Sequence, residues 1–240
     1  MRIRRSRVLF GAPAEAGWAM SRARPSGAGS DVYDRVARFY DLTTLPLELL
    51  VHRRLRQRLF GFVPDDVQLL EVGVGTGLNL PYYSPRLHAT AVDLSPRMVE
   101  QARHRAEQLG LEVSFLEANV HVLPFEDGTF DRVISTFVFC DITDPVGGLR
   151  ELARVCRPDG QILLLEHVRP EGRLAGWLAD AFDPVLFRVL GIHVNRRTVA
   201  NVRSAGIRIL DVRVSAGIYR TIVGRPGCGT NGLVELSGQG

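Results

Sequence analysis

The sequence predicts an α/β fold with a mainly parallel sheet and helices on both of its faces. Three observations carry that prediction. From Val67 onward, short apolar runs alternate with amphipathic stretches. The apolar runs show no polar alternation, as expected for strands buried on both faces. A glycine-rich turn follows the first of them.

The elements follow in order. Asp31 is placed to cap a helix over VYDRVARFYDL, and LPLELLVHRRLRQRLF continues at helical spacing. VQLLEV (67–72) reads as a first strand and HATAVD (88–93) as a second. Ser95 caps a helix through Leu109 that Gly110 stops. EVSFLE (112–117) is a third strand and DRVISTFV (131–138) a fourth. VGGLRELARVCR (146–157) is a helix ended by Pro158-Asp159-Gly160, and QILLLEHV (161–168) is a fifth strand. RTVANVRSAG reads as a helix with a glycine stop. IRILDVRVS and GIYRTIVG then read as two strands close enough to pair antiparallel. Residues 169–195 break the rhythm: they form either a helix packed on the sheet or a cover over a substrate.

Composition narrows the class. The chain has 240 residues, 45% hydrophobic, which suits one domain with a two-sided sheet. Its net charge of +4 comes entirely from arginine, since lysine is absent. Residues 1–60 carry twelve Arg against five acids, so the excess is local and reads as a basic tail plus a solvated helix face. Residues 1–30, rich in Arg, Ala, Gly, Ser and Pro, are expected to be disordered. Cys140, Cys156 and Cys228 match no metal-ligand spacing, and a reducing cytoplasm is the expected compartment. No apolar run approaches the roughly 18 residues of a spanning helix.

The glycine turn carries the functional argument. LLEVGVGTGLNL places Gly73, Gly75 and Gly77 in a G-x-G-x-G pattern, with Glu71 just ahead. The dinucleotide fingerprint needs G-x-G-x-x-G, but Leu78 stands where its third glycine would be. No Gly-Lys-Ser/Thr follows either. A carboxylate at this point opposes a diphosphate and favours a cationic group. Asp93 ends the second strand twenty positions after Gly73, where an acid accepts hydrogen bonds from ribose hydroxyls. A ligand with a ribose at one end and cationic groups at the other is S-adenosylmethionine.

These features resemble the class I S-adenosylmethionine-dependent methyltransferases, of the methyltransferase type 11 kind. VDLSPRMVEQAR, ANVHVLPFEDGTFDRVIST and GGLRELARVCRPDGQILLLEHV agree with that family in order and spacing. The resemblance implies a Rossmann-like, seven-stranded sheet with an antiparallel C-terminal hairpin. It implies a methyltransferase domain over 31–226 and a flexible tail over 227–240. It assigns S-adenosylmethionine to Glu71, Gly73, Gly75, Gly77, Asp93, Leu94, Met98, Asn119, Val120 and Thr136. Met98 would pack on the adenine. Asn119 stands where the family usually has Asp, and its carbonyl would accept from the adenine amino group.

Finer stretches, GTGLNLPYY, FVFCDITDP and LLEHVRP, resemble the methyltransferase-like seven group. LPFEDGTFD resembles the quinone C-methyltransferases, and EVGVGTGLNLPYY with the early FYDL resembles bacterial phosphatidylethanolamine N-methyltransferases. All three imply a small apolar or lipid-like acceptor (thiol, quinol or phosphatidylethanolamine), with peripheral membrane contact as a possible setting. A thiol or enol acceptor also needs a base. Strand-end candidates are His121, Asp141 and His167, with Cys140 read as a small buried residue. Tyr33, Phe39 and Tyr40 are expected either to pack as one helix face or to close over the ligands. The alternative function is a catalytically silent S-adenosylmethionine-binding regulator. A nucleic-acid methyltransferase is disfavoured, because the chain reads FCDITDP after the fourth strand rather than Asn/Asp-Pro-Pro-aromatic.

Overall fold

The computed structural model describes residues 48–140, 142–168, 177, 197–215 and 217–227. The expected tail over 1–30, the helix begun by Asp31 with Tyr33, Phe39 and Tyr40, Asp141, all of 169–195 except Trp177, and the segment after 227 lie outside the described residues.

Seven strands form one sheet: β1 Gln68–Val72, β2 His88–Asp93, β3 Val113–Glu117, β4 Phe130–Thr136, β5 Cys156–His167, β6 Ile207–Ser215 and β7 Tyr219–Pro226. Their order is β3-β2-β1-β4-β5-β7-β6. The first five are mutually parallel, and β7 runs antiparallel to both β5 and β6. The tail strands therefore pair as expected, but the second of them inserts beside β5 and leaves β6 at the edge. Strand order reverses between β1 and β4, so the crevice at their carboxyl ends is where an open α/β sheet takes its ligand.

Sequence and structure agree closely at the second strand and its helix. Helix α2 (Pro96–Leu109) starts with Ser95 accepting from the Met98 N–H at 3.2 Å. It ends at Gly110, whose φ of 65° few other residues would tolerate. The first described helix begins instead with a π-turn, Glu48–His52, that runs into α1 (Arg53–Phe60). Helical periodicity does not announce such a turn; π-turns are rare and frequent at functional sites. Helix α3 (Pro145–Val155) is shorter than the sequence suggests. Cys156 already pairs with Phe130 of β4, while Arg132 pairs with Gln161, so residues 157–160 form a bulge within β5. Helix α4 (Thr198–Ser204) precedes β6.

Alternation along the strands divides the core between the two faces. Leu69, Ala91, Ile134, Leu163 and Leu165 face α1 and α2, packing with Leu55, Leu59, Phe60 and Ala102. Leu70, Val92, Val133, Ile162 and Leu164 face α3 and α4, packing with Leu149, Leu152 and Val202. Several polar residues fall in register with the first set: Glu71 two after Leu69, Thr136 two after Ile134, His167 two after Leu165. All three are buried, beneath the face that α1 covers.

Candidate active site

The loop after β1 is tied to β2, because the Gly73 and Val74 N–H groups both donate to the Val92 carbonyl, at 2.8 and 3.0 Å. Gly73, Gly75 and Gly77 all have φ between 55° and 82°. A Cβ on Gly73 would lie 2.2 Å from Val138 Cγ2. One on Gly77 would lie 2.5 Å from Leu80 Cδ1 and 3.2 Å from the Ala102 Cα. At Gly75 a Cβ would meet nothing within 4 Å. The outer glycines therefore let the loop pack, while the middle one leaves its backbone open to an incoming group. Asp93 braces this arrangement: Oδ2 accepts from the Gly75 N–H at 2.9 Å, and Oδ1 accepts from the Ser95 N–H at 3.0 Å.

Glu71 does not stand at the entrance of the loop as an exposed charge. It is fully buried under it. Oε1 accepts from Asn79 Nδ2 at 2.6 Å, and Oε2 accepts from the Tyr83 hydroxyl. Arg56 of α1 extends the network, donating to Asn79 Oδ1 at 2.8 Å, to Thr136 Oγ1 at 2.9 Å and to Glu48 at 3.0 Å. Burial pushes the Glu71 carboxyl up to about 7, against the hydrogen bonds of Tyr83 and Asn79 and the charge of Arg56. A carboxyl that holds its proton more tightly when folded adds stability below its unfolded value near 4.5, and that contribution is lost as pH rises through about 7. The stability of wild type relative to Glu71→Gln, read from urea melts, should therefore fall between pH 4.5 and 7. A difference that stays flat across that window would refute this account.

The other candidates fall in two places. Around the ends of β2 and β3, Met98 is buried, Leu94 is 40% exposed, and Val120 packs toward α3. Asn119 Oδ1, the atom expected to meet adenine, already accepts from the His121 N–H at 3.0 Å and faces His121 Nδ1 at 3.0 Å. The other ring nitrogen of His121 lies 2.9 Å from the Asp144 carbonyl, so this imidazole bridges the β3 exit and the start of α3. His167 lies elsewhere, at the end of β5, 4% exposed, with Nδ1 lacking any hydrogen-bond partner. Burial first, and neighbouring His52 second, push its imidazole down to about 4. Cys140 is buried and in no disulfide, as expected of a small buried residue.

Several residues that build the site were not singled out from sequence: Arg56, Asn79, Tyr83, His52, Tyr219 and Glu166. Fully buried Glu166 accepts from the Val138 and Phe139 N–H groups, each at 3.1 Å, and so shapes the turn after β4.

Comparison with known proteins bears on this geometry directly. Residues 70–164 match the family described as a methyltransferase domain, and that span contains the glycine loop, Asp93 and most of β5. Over that span the chain is similar to the methyltransferase domain family. Over 111 residues it is 40% identical to a phosphatidylethanolamine N-methyltransferase of Cereibacter sphaeroides, covering 45% of this chain and 55% of that one. Over 144 residues it is 35% identical to a demethylmenaquinone methyltransferase of Thermus thermophilus, covering 58% and 66%. The chain thus spans between 55% and 66% of the length of these curated relatives. Among solved structures, the [4+2]-cyclase SpnF superposes with a TM-score of 0.64 at 19% identity, covering 82% of this chain and 97% of that one. An S-adenosylmethionine-dependent methyltransferase of Aquifex aeolicus gives 0.58 at 21%, covering 81% and 98%. These last two establish the fold; a cyclase among them is a reminder that the fold alone does not fix the reaction.

The cofactor of this domain family, S-adenosylmethionine, fits the residues present. The methyltransferase domain offers an open backbone at Gly75, a carboxylate at the end of β2, and exposed apolar surface at Leu94, Leu116 and Val122 beside it. A wide depression of about 870 Å³ bordered by Gln68, His88, Val113 and Phe115 lies at the opposite, amino ends of β1–β3, away from these groups.

Proposed function

We propose that this protein is an S-adenosylmethionine-dependent methyltransferase acting on a small apolar or lipid-like acceptor. The observation that carries the reading is the middle glycine. Gly75 is open on its outer side while Gly73 and Gly77 are packed, at the point where strand order reverses and within the family-matched span. The acceptor class rests on the relatives, which are named for phosphatidylethanolamine and demethylmenaquinone. Among the described residues, no helix is long and apolar enough to cross a membrane.

The bound cofactor supplies a methyl group on a sulfonium, already activated for in-line displacement. The protein's share is to hold the reacting atoms in line and keep water out. Gly75 lets the backbone approach the ligand, and Asp93 offers its carboxylate to the ribose hydroxyls while bracing the loop. Leu94 and Met98 border the adenine side. Glu71 acts through Asn79 and Tyr83, keeping the first turn in shape and setting a negative potential behind it. His121, held between Asn119 and Asp144, serves the loop rather than the acceptor. Of the base candidates within the described residues, His167 lies at the end of β5 and His121 beyond the end of β3.

Asp93→Ala should weaken S-adenosylhomocysteine binding by about 1–3 kcal/mol, because ribose hydroxyls and loop N–H groups lose their acceptor. Calorimetric titration checks it, and an unchanged affinity would count against the assignment. Turnover is checked separately by S-adenosylhomocysteine release with thiols, quinols and phosphatidylethanolamine vesicles. Tight binding with no release for any of them would favour a silent regulator.

A further inference from the structure

A second polar cluster sits at the carboxyl end of the sheet, apart from the glycine loop and under the π-turn. His52 Nε2 lies 3.1 Å from the Tyr219 hydroxyl. On its other side, His52 Nδ1 lies 3.4 Å from Glu48 Oε2. A carboxylate accepts only, so Nδ1 carries the proton there and Nε2 presents its lone pair to the phenol. Tyr219 is the register partner of His167 across β5 and β7, and their rings are 4.9 Å apart. Phe137 closes the group, 4.6 Å from the His52 ring and 4.7 Å from that of His167. His52, His167 and Tyr219 are 5%, 4% and 3% exposed.

Three features set this cluster apart from ordinary core. Phe137 has φ of 60°, a strained conformation for a bulky residue, of the kind that collects at active sites. His167 Nδ1 is buried without a partner, which a core would normally avoid. His52 sits on a π-turn, where a regular α-helix would aim it differently.

Resting on the methyltransferase reading above, we propose that Tyr219 takes the proton of the acceptor, that His52 and Glu48 form the relay behind it, and that the acceptor is a neutral, weakly acidic thiol or quinol. The carboxylate–imidazole–phenol order matches the logic by which an oriented base activates a group in front of it. Burial opposes ionisation of Glu48, but the His52 hydrogen bond and the Arg56 charge outweigh it and hold its carboxyl below the usual range. Burial alone raises the Tyr219 phenol, so it does not ionise on its own and works only by passing its proton on. The step balances. The X–H proton of the acceptor moves to Tyr219 Oη as the tyrosine's own proton moves to His52 Nε2. The pair left on X forms the new bond to the methyl carbon, and the pair of the broken carbon–sulfur bond stays on sulfur. The products are methylated acceptor, a neutral thioether and one proton, held on His52 beside Glu48 and later lost to water. The acceptor class follows from charge. Glu48 is already paired with Arg56, and the groups facing His52 and Tyr219 from the other elements are His167 and Phe137. Among the described residues, no uncompensated carboxylate faces His52 or Tyr219 to meet the ammonium of a phospholipid.

Two measurements on the full chain test this. In nitrogen-edited NMR of the histidine side chains, His52 should carry its proton on Nδ1, and Tyr219→Phe should shift its Nε2 resonance. A proton found on Nε2 overturns the relay whether or not any substrate turns over. In turnover assays with benzenethiol, 1,4-naphthoquinol and phosphatidylethanolamine vesicles, Tyr219→Phe should lower the rate on the first two by about 100-fold or more, with S-adenosylhomocysteine affinity kept within twofold. His52→Gln and Glu48→Gln should lower it as well and move the acidic limb of the pH–rate profile. A Tyr219→Phe rate within threefold of wild type overturns the relay alone. Turnover of phosphatidylethanolamine but of neither other probe overturns the acceptor class. Wild type inactive on all three probes is failure of the methyltransferase reading, with the NMR result still deciding the tautomer.

Discussion

Gly77→Ala should unfold the domain early, losing about 2–5 kcal/mol, whereas Gly75→Ala should lose only the backbone share of that, about 1–2 kcal/mol, yet bind the cofactor at least about tenfold more weakly. The backbone term is common to both, since Gly75 and Gly77 both have positive φ. An alanine in that region costs roughly 1–2 kcal/mol. The difference lies in what the new methyl meets. At position 77 it comes within 3.2 Å of the Ala102 backbone, which belongs to α2 and cannot turn aside, and within 2.5 Å of the buried Leu80 side chain. Overpacking of that kind adds about 1–3 kcal/mol. At position 75 the methyl enters open space, which is where the ligand's own atoms are proposed to lie. Urea melts and calorimetric titration of S-adenosylhomocysteine on both variants separate the two effects. Equal stability loss in both, or unaltered binding by Gly75→Ala, would contradict the division of labour among the three glycines.

Arg56→Met should be the most damaging single change at the helix–sheet contact, with a loss of about 3–5 kcal/mol. The guanidinium is 5% exposed and joins Glu48, Asn79 and Thr136, with the Phe137 ring 5.2 Å from its central carbon. Methionine replaces its bulk but none of its donors. Glu48, whose side chain is 12% exposed, would then be a buried carboxylate with His52 as its remaining partner. The cost is mainly that of the charge left behind rather than of the bonds removed. The double variant Glu48→Gln/Arg56→Met should therefore recover part of the loss, a sign that a simple packing defect would not give. Urea unfolding of the four proteins in the cycle measures the coupling, and strict additivity would defeat the argument.

The segments that were legible in the sequence are those whose signals are local. Ser95, Pro96 and Gly110 specify α2 because a cap, a first-turn proline and a left-handed stop act within a few residues of themselves. HATAVD and IRILDVRVS match β2 and β6 residue for residue. The glycine spacing marked a loop of left-handed backbone and close packing, because positive φ and close approach are demands on single residues. The end of α3 was misjudged because Cys156 answers to its partner Phe130 rather than to the proline two residues on. The depth of Glu71 was not legible, since its burial depends on residues eight and twelve positions on. An acid beside glycines reads as an exposed charge until Asn79 and Tyr83 are folded over it.

The sequence by itself determined the fold class, the order of strands and helices, the glycine turn after β1 and the acid at the end of β2. Each of these is written in periodicity, capping and turn chemistry that neighbouring residues enforce. Only the tertiary structure decided that β7 lies between β5 and β6, which sets Tyr219 beside His167. It also laid α1 and the π-turn before it across the face holding Glu71, Thr136 and His167, so that Arg56 reaches Thr136, 80 residues on, and His52 reaches Tyr219, 167 residues on. Those contacts are long-range, and no local preference of the chain encodes them. They exist because buried polar groups must find partners, and the packed sheet brings only certain ones within reach.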